Sequence, residues 1–157
     1  PYGTAFVKNG YVGRTFIKPK QSSRESSVRV KLNVLREAVE GKRVIMIDDS
    51  IVRGTTSDRI VHMLREAGAK EVHMRVSSPP FLWPCYFGTD VPAREQLIAY
   101  NRTVEEIRQV IGADSLGYLD CSRLRQMAGD LPICTGCFTG NYPLDPPMED
   151  IRGEFEQ

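Results

Sequence analysis

The chain has 157 residues, 41% of them hydrophobic and 26% charged, with a net charge of +1. That is enough for one domain with a sizeable core, and the balance is that of an ordinary globular protein rather than a disordered or fibrous one. No apolar run approaches the roughly 18–20 residues that span a bilayer and no signal-peptide pattern opens the chain, so the expected location is the cytoplasm.

Pro1 stands where a start Met would, and residues 1–7 read as the interior of something larger, so a piece of a longer protein is expected. Residues 5–7 (AFV) form a short strand candidate, and residues 11–17 (YVGRTFI) a weaker one because of their Gly and the Pro that follows. Residues 18–27 (KPKQSSRESS) are polar and aperiodic and read as a loop. From Val28 the spacing of Leu32, Leu35 and Val39 predicts a helix that stops at Gly41. Across residues 8–43 ten Lys or Arg face only three acids. This is either a solvated basic face or a surface for an anionic substrate. Nucleic acid is the poorer reading, because no recognised binding motif accompanies the charges.

Residues 43–48 predict a buried strand, a helix is expected from about Thr56 to Ala67 with Ile60, Met63, Leu64 and Ala67 inward and Gly68 as its stop, and residues 71–77 predict the next strand. Strand, helix and strand in such short order make a βαβ unit with parallel strands. Thr103 and Glu106 have capping-box spacing for a helix to about Ile111, closed by Gly112. Residues 116–119 are a strand candidate, residues 122–128 a short helix, and residues 143–157 an acidic, Pro-rich tail. The expected fold class is α/β, a parallel sheet with flanking helices and an irregular Cys-containing segment near the C-terminus.

The informative stretch is VIMIDDSIVRGTTS, residues 44–57. An apolar strand ends in two carboxylates, Asp48 and Asp49, and a loop of small residues runs into a helix. In a parallel sheet, ligands sit beyond the carboxyl ends of the strands, where these residues fall. Backbone N–H groups and the positive end of a helix dipole there suit a phosphate, while the acids suit hydroxyls. The Walker pattern is absent, since no Lys follows Gly54. The competing explanations are a turn cap for one acid with a solvated partner, and plain helix capping by residues 55–57.

Cys134 and Cys137 form C-x-x-C, and Cys85 lies in WPCYFG. The spacing suits metal or iron–sulfur ligation, and a redox pair is the alternative. Cys121 reads as a small buried residue, His62 and His73 as structural, and Trp83 as core or as a shield for the cysteines.

Residues 44–57 resemble the phosphoribosylpyrophosphate site of type I phosphoribosyltransferases. Together with NGYVGRTFIKP, SVRVKLN, LREAGAKEVH, SSPP and CFTGNYP, they resemble the amidophosphoribosyltransferases from Pro1 to about Pro143. The resemblance implies a phosphoribosyltransferase domain over residues 1–142, incomplete because the upstream strands, the pyrophosphate loop and a Cys-first glutaminase domain have no match. It implies that Asp48 and Asp49 bind ribose hydroxyls and Mg²⁺. Ser50, Arg53, Gly54, Thr55, Thr56 and Ser57 would hold the 5-phosphate, and residues 8–31 would form a lid carrying Arg14 as the catalytic cation, with Lys18 beside it.

It further implies a homo-oligomer inhibited by purine nucleotides and, in one branch of the family, a [4Fe–4S] cluster on Cys85, Cys134 and Cys137 with a fourth ligand upstream. A piece of such an enzyme is expected to turn over no ammonia and to self-associate through exposed apolar edges. The other function classes that fit are a non-catalytic phosphoribosylpyrophosphate- or nucleotide-binding regulatory module and a metal-binding structural domain. A cluster makes the purified protein brown, with broad absorbance near about 400 nm; a colourless, zinc-containing protein overturns the cluster assignment.

Overall fold

The computed structural model describes residues 2–8, 32–88 and 93–145. Its centre is a three-stranded parallel sheet ordered β3-β4-β5, formed by Arg43–Asp48, Glu71–Val76 and Ser115–Tyr118. A second, antiparallel pair joins β1 (Phe6–Lys8) to β2 (Leu32–Val34).

Residues 32–34 differ from the helix their spacing predicts. They pair instead with β1, in the register Phe6↔Val34 and Lys8↔Leu32, and the Leu35 N–H donates to the Ala5 carbonyl at 2.8 Å. Only Arg36–Val39 is helical (α1). A spacing of three to four apolar residues serves a helix, but here long-range backbone pairing outweighs it. Gly41 lies beyond the helix with a φ of 70°, and its N–H donates to the Gly68 carbonyl. The expected strand at 11–17 and loop at 18–27 fall outside the described residues.

From β3 onward the bounds hold within a residue or two, but β3 is not the buried strand expected: Val44, Met46 and Asp48 are half-buried and Arg43, Ile45 and Ile47 exposed, because only one face of the sheet is covered among the described residues. Helix α2 spans Thr55–Glu66 and ends at Gly68, whose φ of 92° suits a residue without a Cβ. Its buried face is Ser57, Ile60, Val61 and Leu64. Val61 joins that stripe, Ala67 packs against the core, and Met63 is only half-buried, at the edge of the stripe. Helix α3 (Val104–Val110) carries the capping box in full: Glu106 N–H donates to Thr103 Oγ1, and the Thr103 N–H donates to Glu106 Oε2. Helix α4 is Cys121–Ala128, capped by Asp120, and α5 is a single turn at Gly136–Thr139.

Successive side chains of a strand point to opposite faces. On one face Val72, Met74 and Val76 of β4 are buried against Ile60, Val61 and Leu64 of α2 and Ile107 of α3. On the other face Ile45 and Ile47 of β3 are 65% and 75% exposed. Among the described residues β3 is also paired on one side only. Parallel sheets are ordinarily covered on both faces; here the apolar alternation of β3 is half used. Among the described residues no helix is long and apolar enough to cross a membrane.

Leu64 is fully buried between α2 and the sheet. Leu64→Ala is expected to cost about 2–5 kcal/mol in denaturant unfolding. A loss under about 1 kcal/mol would show that this interface is not the core.

Candidate functional site

Strand β3 delivers Asp48 to the carboxyl edge of the sheet, and β4 holds it there. The Asp48 carbonyl accepts from both the N–H and the Oγ of Ser77, each at 3.0 Å. The two acids are then organised locally. Asp49 N–H donates to Asp48 Oδ1 at 3.0 Å, and Ser50 Oγ donates to Asp49 Oδ1 at 2.8 Å. Burial raises the pKa of Asp48 above its ordinary value; the Asp49 N–H opposes the shift and the Asp49 charge adds to it. A half-buried acid beside a second acid is electrostatically short of a counter-charge or of hydroxyl donors.

The loop from 49 to 54 is folded over its own apolar residue, since Ile51 is buried. It is closed from outside by a segment some forty residues further on. Ile98 N–H donates to the Val52 carbonyl at 2.8 Å, and Arg53 Nε donates to Gln96 Oε1 at 3.3 Å. Gly54 immediately precedes α2 with a φ of 83°, and a Cβ there would meet Ile98 Cδ1. The left-handed backbone favours glycine, and any Cβ would also have to displace the end of the Ile98 side chain. Thr55 and Thr56 are exposed at the first turn of α2, Ser57 is buried beneath them, and no side chain caps the helix. The first N–H groups of this twelve-residue helix therefore keep their capacity for an anion.

The structure thus brings together Asp48, Asp49, Ser50, Arg53, Gly54, Thr55, Thr56 and Ser57, as expected from their adjacency. Arg14 and Lys18 lie outside the described residues. Gln96, Ile98 and Ser77 belong to the same neighbourhood, and no local pattern announced them. Their contacts are long-range, and the only signal in the chain is that SSPP follows the second strand of the βαβ unit.

The cysteines are all free thiols. Cys85 and Cys137 pack against Phe81 and Leu97, together with Val52, Tyr100 and Phe138, while Cys134 is exposed. The Cys137 carbonyl accepts from the N–H groups of Leu82 and Trp83, at 2.9 and 3.0 Å. Burial, and then the neighbouring Cys85 with smaller contributions from Cys134 and Cys121, push the Cys137 thiol up to about 11. The C-x-x-C motif opens one turn of helix, but from a loop rather than a strand. Trp83 lies beside the cysteines under the Arg94 guanidinium, 3.5 Å from its ring centroid. His62 sits beside Glu66 on the exposed face of α2, and His73 bridges Glu71 and Ser115.

Among the described residues no group of three or more His, Cys, Asp or Glu could hold a metal ion. For Asp48 and Asp49 this is compatible with Mg²⁺, which beside phosphates takes one or two carboxylates and fills its other positions with water and substrate oxygens. An iron–sulfur cluster needs its thiolates converged on one centre; Cys85 and Cys137 share one apolar cluster, and Cys134 lies close enough to act on the Cys137 thiol.

A parallel sheet with acids at a strand end, joined by a small-residue loop to a helix N-terminus, defines the chain as part of a type I phosphoribosyltransferase fold. The B. subtilis glutamine phosphoribosylpyrophosphate (PRPP) amidotransferase complexed with ADP and GMP shares that fold over 95% of this chain, with a TM-score of 0.79 and 54% identity. The match covers 34% of that enzyme's chain. By sequence, the amidophosphoribosyltransferases of Archaeoglobus fulgidus and Bacillus subtilis strain 168 are 56% and 55% identical over 97% and 92% of this chain. The chain belongs to the amidophosphoribosyltransferase family and spans about a third of the length of those relatives. No protein-family model matches it.

Because the folded state binds the Asp48 proton more tightly than the unfolded chain does, ionising Asp48 costs stability as pH rises through its folded pKa, and the penalty vanishes below the ordinary value of 3.8. Asp48→Asn is therefore expected to raise the thermal midpoint at pH 7, with the gap closing on acidification. A variant less stable than the parent at pH 7 overturns this account.

Proposed function

We propose that this chain carries the ribose 5-phosphate half of the substrate site of an enzyme that converts phosphoribosylpyrophosphate and glutamine to 5-phosphoribosylamine, glutamate and pyrophosphate, the first committed step of purine synthesis. The observation that carries the reading is the continuous path from the acids at the end of β3, through the loop closed by Ile98, to the uncapped start of α2. Asp48 and Asp49 accept hydrogen bonds from the ribose hydroxyls. The N–H groups of residues 54–57, the hydroxyls of Ser50, Thr55 and Thr56, and the Arg53 guanidinium hold the 5-phosphate. Mg²⁺, when bound, neutralises charge between the acids and the pyrophosphate oxygens.

With the sugar held at both ends, C1 is presented to ammonia in a fixed orientation, and the C1–oxygen bond to pyrophosphate breaks as the C1–nitrogen bond forms. The oxocarbenium-like character of that step makes exclusion of water valuable, a task proposed for residues 8–31 with Arg14 facing the leaving group. Purine nucleotides as feedback inhibitors, a glutaminase domain supplying ammonia, assembly into a homo-oligomer and a cytoplasmic location complete the proposal. The relative solved with ADP and GMP supports the nucleotide part. A [4Fe–4S] cluster on Cys85, Cys134 and Cys137 would require these thiols to close on one centre, and no step above depends on it.

Ribose 5-phosphate titrated into the chain with Mg²⁺ is expected to move the backbone amide NMR signals of residues 50–57 and the first turn of α2. Asp49→Asn should weaken that binding about tenfold or more, as loss of a charged hydrogen-bond acceptor does. Unmoved amides at 50–57, or equal binding by the variant, overturn the reading.

A further inference from the structure

Of the side chains assigned to the phosphate, Arg53 has the longest lever. It is exposed at the rim of the loop, and a free arginine there would sample many rotamers and lose them on binding. Its Nε is instead engaged by Gln96 Oε1. A guanidinium held at Nε keeps its outer edge, the two Nη groups, for a bidentate phosphate contact.

Gln96 can do this because its own support is rigid. It ends the short turn Arg94–Gln96. On one side Arg94 is stacked on Trp83 and donates through Nε to the Leu82 carbonyl at 3.0 Å. On the other side Leu97, Ile98 and Ala99 are buried in succession. Ile98 is bonded to the loop through Val52, and its carbonyl accepts from Arg102 Nη1 at 3.1 Å. The acceptor is therefore mounted on a buried rib that also sets the shape of the loop it serves.

We infer that Gln96 is a positioning residue for the 5-phosphate: it holds Arg53 by Nε so that the outer guanidinium edge is presented to the bound phosphate. The inference rests on the ribose 5-phosphate reading of residues 50–57. An acceptor of this kind is needed only with arginine, since a lysine has no Nε–H fork to hold.

The test is a double-mutant cycle on the whole chain, with ribose 5-phosphate plus Mg²⁺ as probe and NMR titration as readout. Q96L is expected to lower affinity about three- to tenfold and to release the Arg53 Nε–H resonance to fast solvent exchange, while the amide signals of residues 97–99 stay in place. R53A is expected to lose at least as much. In the R53A and R53K backgrounds Q96L should cost nothing further. Full affinity in Q96L, or an equal loss from Q96L with and without Arg53, overturns the positioning role while leaving the site intact. A parent chain whose residues 50–57 do not respond to ribose 5-phosphate overturns the reading of the site, and this inference with it.

Discussion

Everything at the candidate site depends on the parallel pairing of β3 with β4, six residues in register from Arg43↔Glu71 to Asp48↔Val76. That pairing decides which side chains of β3 face the core and where the strand stops. Its last act is the double donation from Ser77 to the Asp48 carbonyl, which pins the backbone at the point where the acids begin. The buried contacts of Val72, Met74 and Val76 with α2 hold the ladder in that register. A slip of one residue would exchange the two faces and carry Asp48 to the wrong side of the sheet.

The site sets electrostatic cost against apolar packing. Two adjacent acids at a half-buried strand end repel one another, and Asp48 is poorly solvated. The loop that follows compensates by burying Ile51 and by accepting Ile98 as a cover over Gly54. The packing does not relieve the charge; it keeps the unfavourable arrangement in place. Sites built for binding commonly retain such strain where the surroundings over-determine the backbone.

How much could be read in advance follows the range of the interactions. The strand at 43–48, the helix after it, the second strand and the Thr103–Glu106 box were all legible, because each rests on neighbours within a turn or two or on a continuous apolar run. The placement of Asp48, Asp49 and the residues to Ser57 between the end of β3 and the first turn of α2 was legible for the same reason. Residues 32–34 were not: their helical spacing is real, but the partner that overrides it is β1, far back in the chain. Gln96 and Ile98 were invisible because their importance lies in what they touch forty residues away. The cysteines show a third case. Their spacing suggests ligands, yet the fold draws Cys85 and Cys137 into an apolar cluster and leaves Cys134 exposed, an arrangement spacing alone does not contain.

The rib at residues 97–99 has a consequence for the order in which the molecule becomes organised. Strand β3, helix α2 and strand β4 are consecutive, so their contacts close over short stretches of chain and form early. The loop between β3 and α2 lies inside that early unit, yet it takes its final shape from a segment that must first travel back across the sheet. It is therefore the last part of the unit to be locked and the first to be released when the rib lifts. A local opening of this kind would undo the shape of the loop while leaving the sheet standing, because the loop leans on the rib through Ile98 while the strand that carries the acids leans on β4.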